Sequence, residues 1–502
     1  MELILQALMN LFSITNLFYL IFGAVAGLII GILPGLGPTF ACALFLPFTF
    51  GLRSDSAFIL LSAVYAATAY GEGITSVLVN VPGGPGAVAL LFDGHPLTQK
   101  GKSSYALGAL ASSAFVGGII GVVTLIILAP RLAEIALFMG PAQFFMLALF
   151  GLSMVATIGK GDTVKGLILG CLGLVITAIG TDVMTGAKRF TFGSLFLLDG
   201  IPFVPAIIGL FAMSQVFLMS ESNSSISGDY ELTNELFDGV KASFKYWVTT
   251  IRSSILGVII GIAPGIGISI ASFMGYIVEQ KLVSKEEAKT FGTGNIRGII
   301  APQAACNACV SGELIPAFAL GIPGGATSAI FLAGLQLHGL RPGFSFFSSG
   351  GTLIYTIFLG MIFSQIVFAV LGIGFAKQFA KVTKTPNAIL VPIILVLCFA
   401  GAFATRKEIL DIVLVIIFGL IGYVMFKNKW PVQCLILGLV LGEIAENNFH
   451  RALQISRGSY KIFVSDTFTI IMAIIIFGIL VLTFFSEPIK KALNILKKTR
   501  TK

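Results

Sequence analysis

Apolar runs of about 20 residues, the length needed to cross the hydrocarbon core of a bilayer, recur along almost the whole chain. The plainest are Ala106–Leu128, Phe344–Phe375, Asn387–Ala404, Glu408–Phe426 and Phe468–Phe485. In lipid the backbone N–H and C=O groups must be satisfied within the protein, so runs of this kind become helices. Composition agrees: 11% of the 502 residues are charged and 56% are hydrophobic, against about 25% charged in ordinary soluble domains. The expected class is an all-α polytopic membrane protein. The runs allow roughly 11–13 spans, with the spread set by interrupted segments.

The formal net charge of +9 would point to nucleic acid in a soluble protein. Here Lys and Arg sit in short loops and at the tail, as membrane topology requires, and no nucleic acid partner is expected. Lys490, Lys491, Lys497, Lys498, Arg500 and Lys502 read as a cytoplasmic C-terminal end. No Lys or Arg precedes Arg53, so Leu17–Leu33 is expected to be a retained span rather than a cleaved leader. The expected location is the bacterial inner membrane, with multiple passes. All six cysteines lie in apolar sequence. Cys306 and Cys309 form a C-x-x-C, which reads as a redox or metal pair or, more simply, as two small residues on a helix. No second pair or nearby His completes a metal site, and no metal is expected there.

The polar stretch 221–246 divides the chain. Residues 1–220 read as a first transmembrane repeat, 247–380 as the core of a second, and 381–502 as further spans and a tail. Gly27–Ala41 (GLIIGILPGLGPTFA) is echoed 230 positions on by Gly257–Ala271 (GVIIGIAPGIGISIA). Gly71–Gly84 (GEGITSVLVNVPGG) is echoed 241 positions on by Gly312–Gly325 (GELIPAFALGIPGG). Each repeat therefore carries two breakers in apolar sequence, P-G-x-G and then P-G-G. Proline removes a backbone donor and glycine permits unusual dihedrals, so these points are expected to be broken helices or re-entrant hairpins. Broken backbone at membrane depth has to be buried in protein or line a cavity. Paired breaks at matching places in two halves are the signature of a carrier's binding site, whereas kinked, glycine-packed helices are the plainer alternative. The expected substrate and ion site comprises Pro34, Gly35, Gly37, Pro82, Gly83, Pro264, Gly265, Gly267, Pro323 and Gly324. Thr39, Asn80, Ser269, Asn307, Thr327 and Ser328 are neutral polar groups close to the breaks, able to act as ligands or as interhelical glue. Freed amides would suit an anion, and freed carbonyls would suit Na⁺.

These segments resemble the large membrane (permease) subunit of the tripartite tricarboxylate transporters. The likeness runs from about Gly23 to Phe485 and is carried by Gly31–Leu52, Ile74–Lys102, Ile179–Ala212, Gly261–Tyr276, Leu314–Gly343 and Gly438–Gly458. It implies secondary active uptake of citrate-like tricarboxylates or dicarboxylates, driven by an ion gradient through alternating access. It also implies two partners, a small membrane subunit and an extracytoplasmic solute-binding protein. Na⁺ or H⁺ would be the coupling ion, with no other cofactor, and oligomers are compatible with it. An inverted arrangement of the repeats is expected by analogy with other ion-coupled carriers. The alternative is a channel or a receptor-independent carrier for a different small solute.

The chain also departs from the family pattern. The resemblance places acids at the positions of Arg297 and Gln303, Asn-Asn where Cys306-Asn307 stands, and Gly-Gly where Gly71-Glu72 and Gly312-Glu313 stand. Asn307 is a favoured ligand because it lies in the marked segment, and Thr39 is the other. Glu72 and Glu313 are ionisable groups inside membrane-spanning sequence, which is costly and points to function. If symmetry brings them together, two carboxyls raise one another's proton affinity, although each could instead sit in a watery vestibule or in an ion pair. Arg297 and Arg341 read as loop-end anchors or as anion ligands. His95, His338 and His450 are scattered. Glu443 and Glu446 read as structural ion pairing near Arg451. Gly159-Lys160-Gly161-Asp162 matches a G-x-G-D protease pattern without its partner motif. No catalytic set or Walker A sequence stands out, so no enzymatic activity and no direct use of ATP are expected.

Overall fold

The computed structural model describes residues 2–158, 163–182, 184–221, 235–375, 378–379 and 385–481. The Gly159–Asp162 motif, most of the polar linker and the basic tail lie outside these residues. In chain order the helices are α1 (Glu2–Leu11), α2 (Ile14–Ile32), α3 (Pro38–Phe45), α4 (Ser54–Val79), α5 (Leu91–Gln99), α6 (Ser103–Ala136), α7 (Pro141–Ile158) and α8 (Thr163–Thr177). There follow α9 (Phe203–Ile207), α10 (Ser214–Glu221), α11 (Leu236–Lys245), α12 (Trp247–Ile262), α13 (Gly267–Leu282), α14 (Lys285–Ala288), α15 (Arg297–Gly312), α16 (Leu314–Leu320), α17 (Ala326–Leu337), α18 (Phe344–Ser349) and α19 (Gly351–Gly374). Asn387–Arg406, Ile409–Lys427 and Val432–Ile455 complete the long helices. Among the described residues the only sheet is a two-stranded antiparallel pair, Gly180–Thr181 with Lys188–Arg189.

Seven helices are long and apolar enough to cross a membrane, and several shorter apolar helices accompany them. Three of the shorter ones, Pro38–Thr49, Trp247–Ile262 and Ala326–Leu337, begin or end at the breaks. The chain forms two compact units, each discontinuous in sequence: Met1–Ala136 with Phe203–Val424, and Leu137–Pro202 with Met425–Lys502. All four repeated segments, Gly27–Ala41, Gly71–Gly84, Gly257–Ala271 and Gly312–Gly325, lie within the first unit, while Leu137–Pro202 of the span 1–220 belongs to the second.

In that unit α2 packs on α4, and α12 packs on α15 in the same way. Gly23, Gly27 and Gly31 recur every fourth residue, on one face of α2. A methyl group at Gly27 would lie 2.6 Å from Val64 O, and one at Gly31 would lie 2.5 Å from Thr68 O. In the second repeat, Gly257 abuts Ala305 O, and a methyl at Gly261 would lie 2.8 Å from Cys309 O. Small residues let helices approach closely enough for backbone contact in lipid. Gly257→Leu is expected to lower the thermal midpoint in detergent, because overpacking costs about 1–3 kcal/mol and the neighbour here is backbone. An unchanged midpoint would show that these helices do not meet at that residue.

Ile208–Met213, between α9 and α10, is a π-helical turn. It packs with Leu33, Leu36 and Phe40 around the first P-G-x-G break. In the second unit α7 and α8 pack with Val432–Ile455, and a methyl at Gly173 would meet Leu435 O at 2.5 Å.

Candidate functional site

The four breaks follow directly from their residues. Helix α2 stops at Leu33, which is extended (φ −78, ψ 123) because a residue before proline is driven out of the α region. Gly35 then takes φ +82, and Pro38 opens α3, where a missing N–H costs nothing. The second repeat repeats the turn: α12 stops before an extended Ala263, and Gly265 and Gly267 take φ +83 and +74. Helix α4 ends on a left-handed Asn80 (φ 56), and α16 ends on a left-handed Gly321 (φ 72). Asn and Gly are the residues that supply such a helix end. Asn80 is exposed, so its role in this structure is to turn the chain toward Pro82.

Each P-G-G break lies against the glutamate of its own repeat. A methyl at Gly83 would sit 2.5 Å from Glu72 Cα and 2.8 Å from Gly31 O. A methyl at Gly324 would sit 2.7 Å from Glu313 Cα and 2.6 Å from Gly261 O. The next glycines, Gly84 and Gly325, lie on the two carboxyl groups themselves. A methyl at Gly37 would lie 3.0 Å from Pro85 Cδ, and Gly265 N–H donates to Gly324 O at 2.7 Å. Within each repeat the two breaks therefore meet.

The repeats also meet each other. Thr39 Oγ1 and Thr327 Oγ1 are hydrogen-bonded at 2.8 Å. Tyr65 OH donates to Glu313 Oε2 at 3.0 Å, and the Cys306 thiol to Glu72 Oε1 at 3.8 Å. The Cys309 thiol reaches Glu313 Oε1 at 4.0 Å. Gly86 faces both Cys306 Sγ and Ile268. The two glutamates thus flank the turn of α15 that carries the C-x-x-C, with one thiol on each. Glu72 is 0% and Glu313 2% exposed. Among the described residues no Lys, Arg or His pairs with either.

Polar capacity remains unfilled around them. Glu72 Oε2, Asn307 Nδ2, Ser272 Oγ and Ser311 Oγ are buried without a hydrogen-bond partner among the described residues. Gln303 Nε2 donates to Asn307 Oδ1 at 2.7 Å, and Gln303 Oε1 would lie 3.0 Å from a methyl at Gly73. Gln303 therefore lies beside the turn of α4 that carries Glu72. A buried carboxyl without a cation carries a large desolvation cost as an anion. The arrangement can hold a proton or a small cation at each carboxyl and an anionic group on freed N–H donors.

The other sequence candidates take plainer places. Ser328 closes the start of α17, accepting from Gly325 N–H at 2.8 Å. Ser269 and Pro34 are half-buried, and Gly35 is exposed. Arg297 is an anchor: it bonds Glu287 at 3.2 Å, approaches Glu279 at 3.8 Å and lies over the Tyr246 ring at 4.5 Å. Arg341 is exposed. His338 meets Thr49 Oγ1 at 3.2 Å, and His95 Nδ1 is buried without a partner among the described residues. In the second unit Glu446 pairs with Arg189 and lies 3.8 Å from His450 Nε2, while Glu443 and Arg451 are exposed. The pairing expected near Arg451 therefore goes to Arg189. Asp182, Glu446 and His450 cluster, but Arg189 already supplies their cation. The Met184 N–H first, then the Thr185 groups and Arg189, hold the Asp182 carboxyl below its usual range. Sequence reasoning missed Tyr65, the thiols as carboxyl partners, and the buried Asp93 described below.

Fold and site together define a polytopic membrane protein whose duplicated, broken helices converge on buried polar groups. The chain belongs to the Tripartite tricarboxylate transporter TctA family, whose pattern matches residues 17–437. It is similar to the "Uncharacterized 52.8 kDa protein in TAR-I ttuC' 3'region" of Agrobacterium vitis, 31% identical over 463 residues that cover 90% of this chain and 89% of the relative. A second Agrobacterium vitis relative, the "Uncharacterized protein in TAR-II ttuC' 3'region", is 32% identical over 210 residues, 42% of this chain and 86% of its own length. No solved structure matches.

Proposed function

We propose that the chain imports small carboxylates, tricarboxylates or dicarboxylates, across the bacterial inner membrane by alternating access. The energy comes from a gradient of Na⁺ or H⁺. A small membrane subunit and an extracytoplasmic solute-binding protein complete the system, and the C-terminus faces the cytoplasm. The observation that carries this reading is the convergence of four backbone breaks on two buried carboxyls that have no cationic partner among the described residues.

The carboxyls also suggest how ion and substrate are coupled. An anion entering beside two ionised carboxylates meets like charge in a medium of low dielectric, which is strongly unfavourable. Loading Glu72 and Glu313 with protons or Na⁺ removes that repulsion, so ion binding precedes substrate binding. The freed N–H groups and Asn307 then receive the substrate carboxylates, with Thr39 and Thr327 bridging the repeats beside them.

The test is uptake of labelled citrate and a panel of dicarboxylates into vesicles, with the two partners supplied and with Na⁺ and pH gradients imposed separately. Gradient-driven accumulation is expected. Passive equilibration of solute without a gradient would favour the second reading, a channel or receptor-independent carrier. The glutamates that depart from the family pattern motivate that alternative.

A further inference from the structure

Asp93 sits in the first P-G-G hairpin, on α5, and is fully buried (0% exposed). Its Oδ1 accepts the backbone N–H groups of Gly292 (2.9 Å), Gly294 (2.7 Å) and Asn295 (2.7 Å), and its Oδ2 accepts Tyr276 OH at 2.9 Å. Gly292 and Gly294 have φ +85 and +103. Successive amides in such a turn form a concave nest for an anion, and here the anion is a side chain from the other repeat. Gly298 leaves the space that Asp93 Oδ2 fills. Leu97 packs on Gly294, and Lys100 Nζ donates to Thr293 O at 2.6 Å.

Among the described residues the second hairpin has no such clasp. The position equivalent to Asp93, 241 residues on, is Gly334. Among the described residues, the hydrogen bonds that tie this hairpin to its surroundings are to neutral groups: Gly265 N–H to Gly324 O at 2.7 Å, Gly324 N–H to Glu313 O at 3.3 Å, Thr39 to Thr327 at 2.8 Å and His338 to Thr49 at 3.2 Å. Hydrogen bonds to a charged acceptor are stronger than neutral ones, and four converge on one carboxylate here. The repeats are therefore alike in sequence pattern and unlike in the charged contacts made by their hairpins.

We propose that Asp93 is a positioning residue that fixes the first P-G-G hairpin to α13 and the 292–295 turn, leaving the second P-G-G hairpin as the element that opens and closes over the site. The proposal rests on the alternating-access reading for the meaning of the motion. The clasp itself is read out without any substrate.

Native cysteines report on both hairpins. Cys306 Sγ lies under Gly86 of the first hairpin, while Cys309 lies beside Glu313, whose carboxyl faces Gly325 of the second. The full chain in membranes would be alkylated with a permeant maleimide and each cysteine followed by peptide mass spectrometry. Cys309 is expected to label faster than Cys306 in the wild type. Asp93→Asn should raise Cys306 labelling by about tenfold or more, the effect of losing at least one charge-assisted bond, with Cys309 unchanged. Thr39→Val should raise Cys309 labelling and leave Cys306 unchanged. Tyr276→Phe removes a single donor, so it still tests the clasp if Asp93→Asn fails to fold; its expected rise at Cys306 is smaller. Equal labelling of both cysteines in the wild type, or a rise at both in Tyr276→Phe, would overturn the proposal. Labelling that follows the expected pattern in a chain that accumulates no carboxylate would keep the clasp and discard the transport reading.

Discussion

Gly83→Leu and Gly324→Leu should each abolish carboxylate uptake while leaving the protein inserted and monodisperse. The added side chains would begin 2.5 Å from Glu72 Cα and 2.7 Å from Glu313 Cα, with Gly31 O and Gly261 O at 2.8 Å and 2.6 Å on the other side. These neighbours are backbone, so a rotamer change cannot relieve the overlap. The P-G-G loop must lift away from its glutamate, which separates the breaks that form the site. Insertion depends on the long apolar helices and should survive. Uptake at the wild-type rate in both variants would mean that the breaks are ordinary kinks. Loss in one variant only would identify the repeat that carries the site.

The double variant Glu72→Gln/Glu313→Gln should lose gradient-driven uptake by about two orders of magnitude, since hydrogen bonds to charged groups are worth about 1.5–3 kcal/mol each and a factor of ten is about 1.4 kcal/mol. Gln keeps the shape of Glu, so the fold should persist. It cannot take up and release a proton, and it binds Na⁺ more weakly than a carboxylate. Downhill exchange of preloaded substrate is expected to survive better than uphill accumulation, because exchange does not require the ion step. Accumulation at the wild-type level would remove the two glutamates from the coupling scheme while leaving the carrier intact.

The membrane class and the four breaks were legible in the sequence because both depend on local chemistry. Apolar length identifies spans, and Pro with Gly at 34–37, 82–84, 264–267 and 323–325 interrupts any helix. Glu72 and Glu313 were legible as charges out of place. Their partners were not: Tyr65 and Glu313 are 248 residues apart in the chain, and no periodicity links them. Asp93 was hidden for a different reason. A lone acid in L-L-F-D-G-H-P reads as a loop residue, and its meaning depends on F-G-T-G-N in the other repeat, where two glycines turn amides toward it. Asn80 shows the converse. Its place beside a break points to a ligand, and the structure adds that it is the exposed, left-handed end of a helix. Arg297, where the resemblance would place an acid, has Glu279 and Glu287 beside it.

The wide turn at Ile208–Met213 has a geometric consequence for the first P-G-x-G break. A π turn holds one residue more than the α-helical count, so everything after it is rotated by about 100° against an unbroken helix. The rotation decides which side chains of α10 look inward. Gln215 Oε1 comes within 3.9 Å of where a methyl on Gly35 would sit, and Ser214 turns its hydroxyl back to Leu210 O at 2.6 Å. A strict 3.6-residue count from Phe203 would assign the wrong faces to Ser214–Glu221. The surplus residue is thus a fixed phase offset, and it aims an amide side chain at a break that no regular helix of this sequence would address.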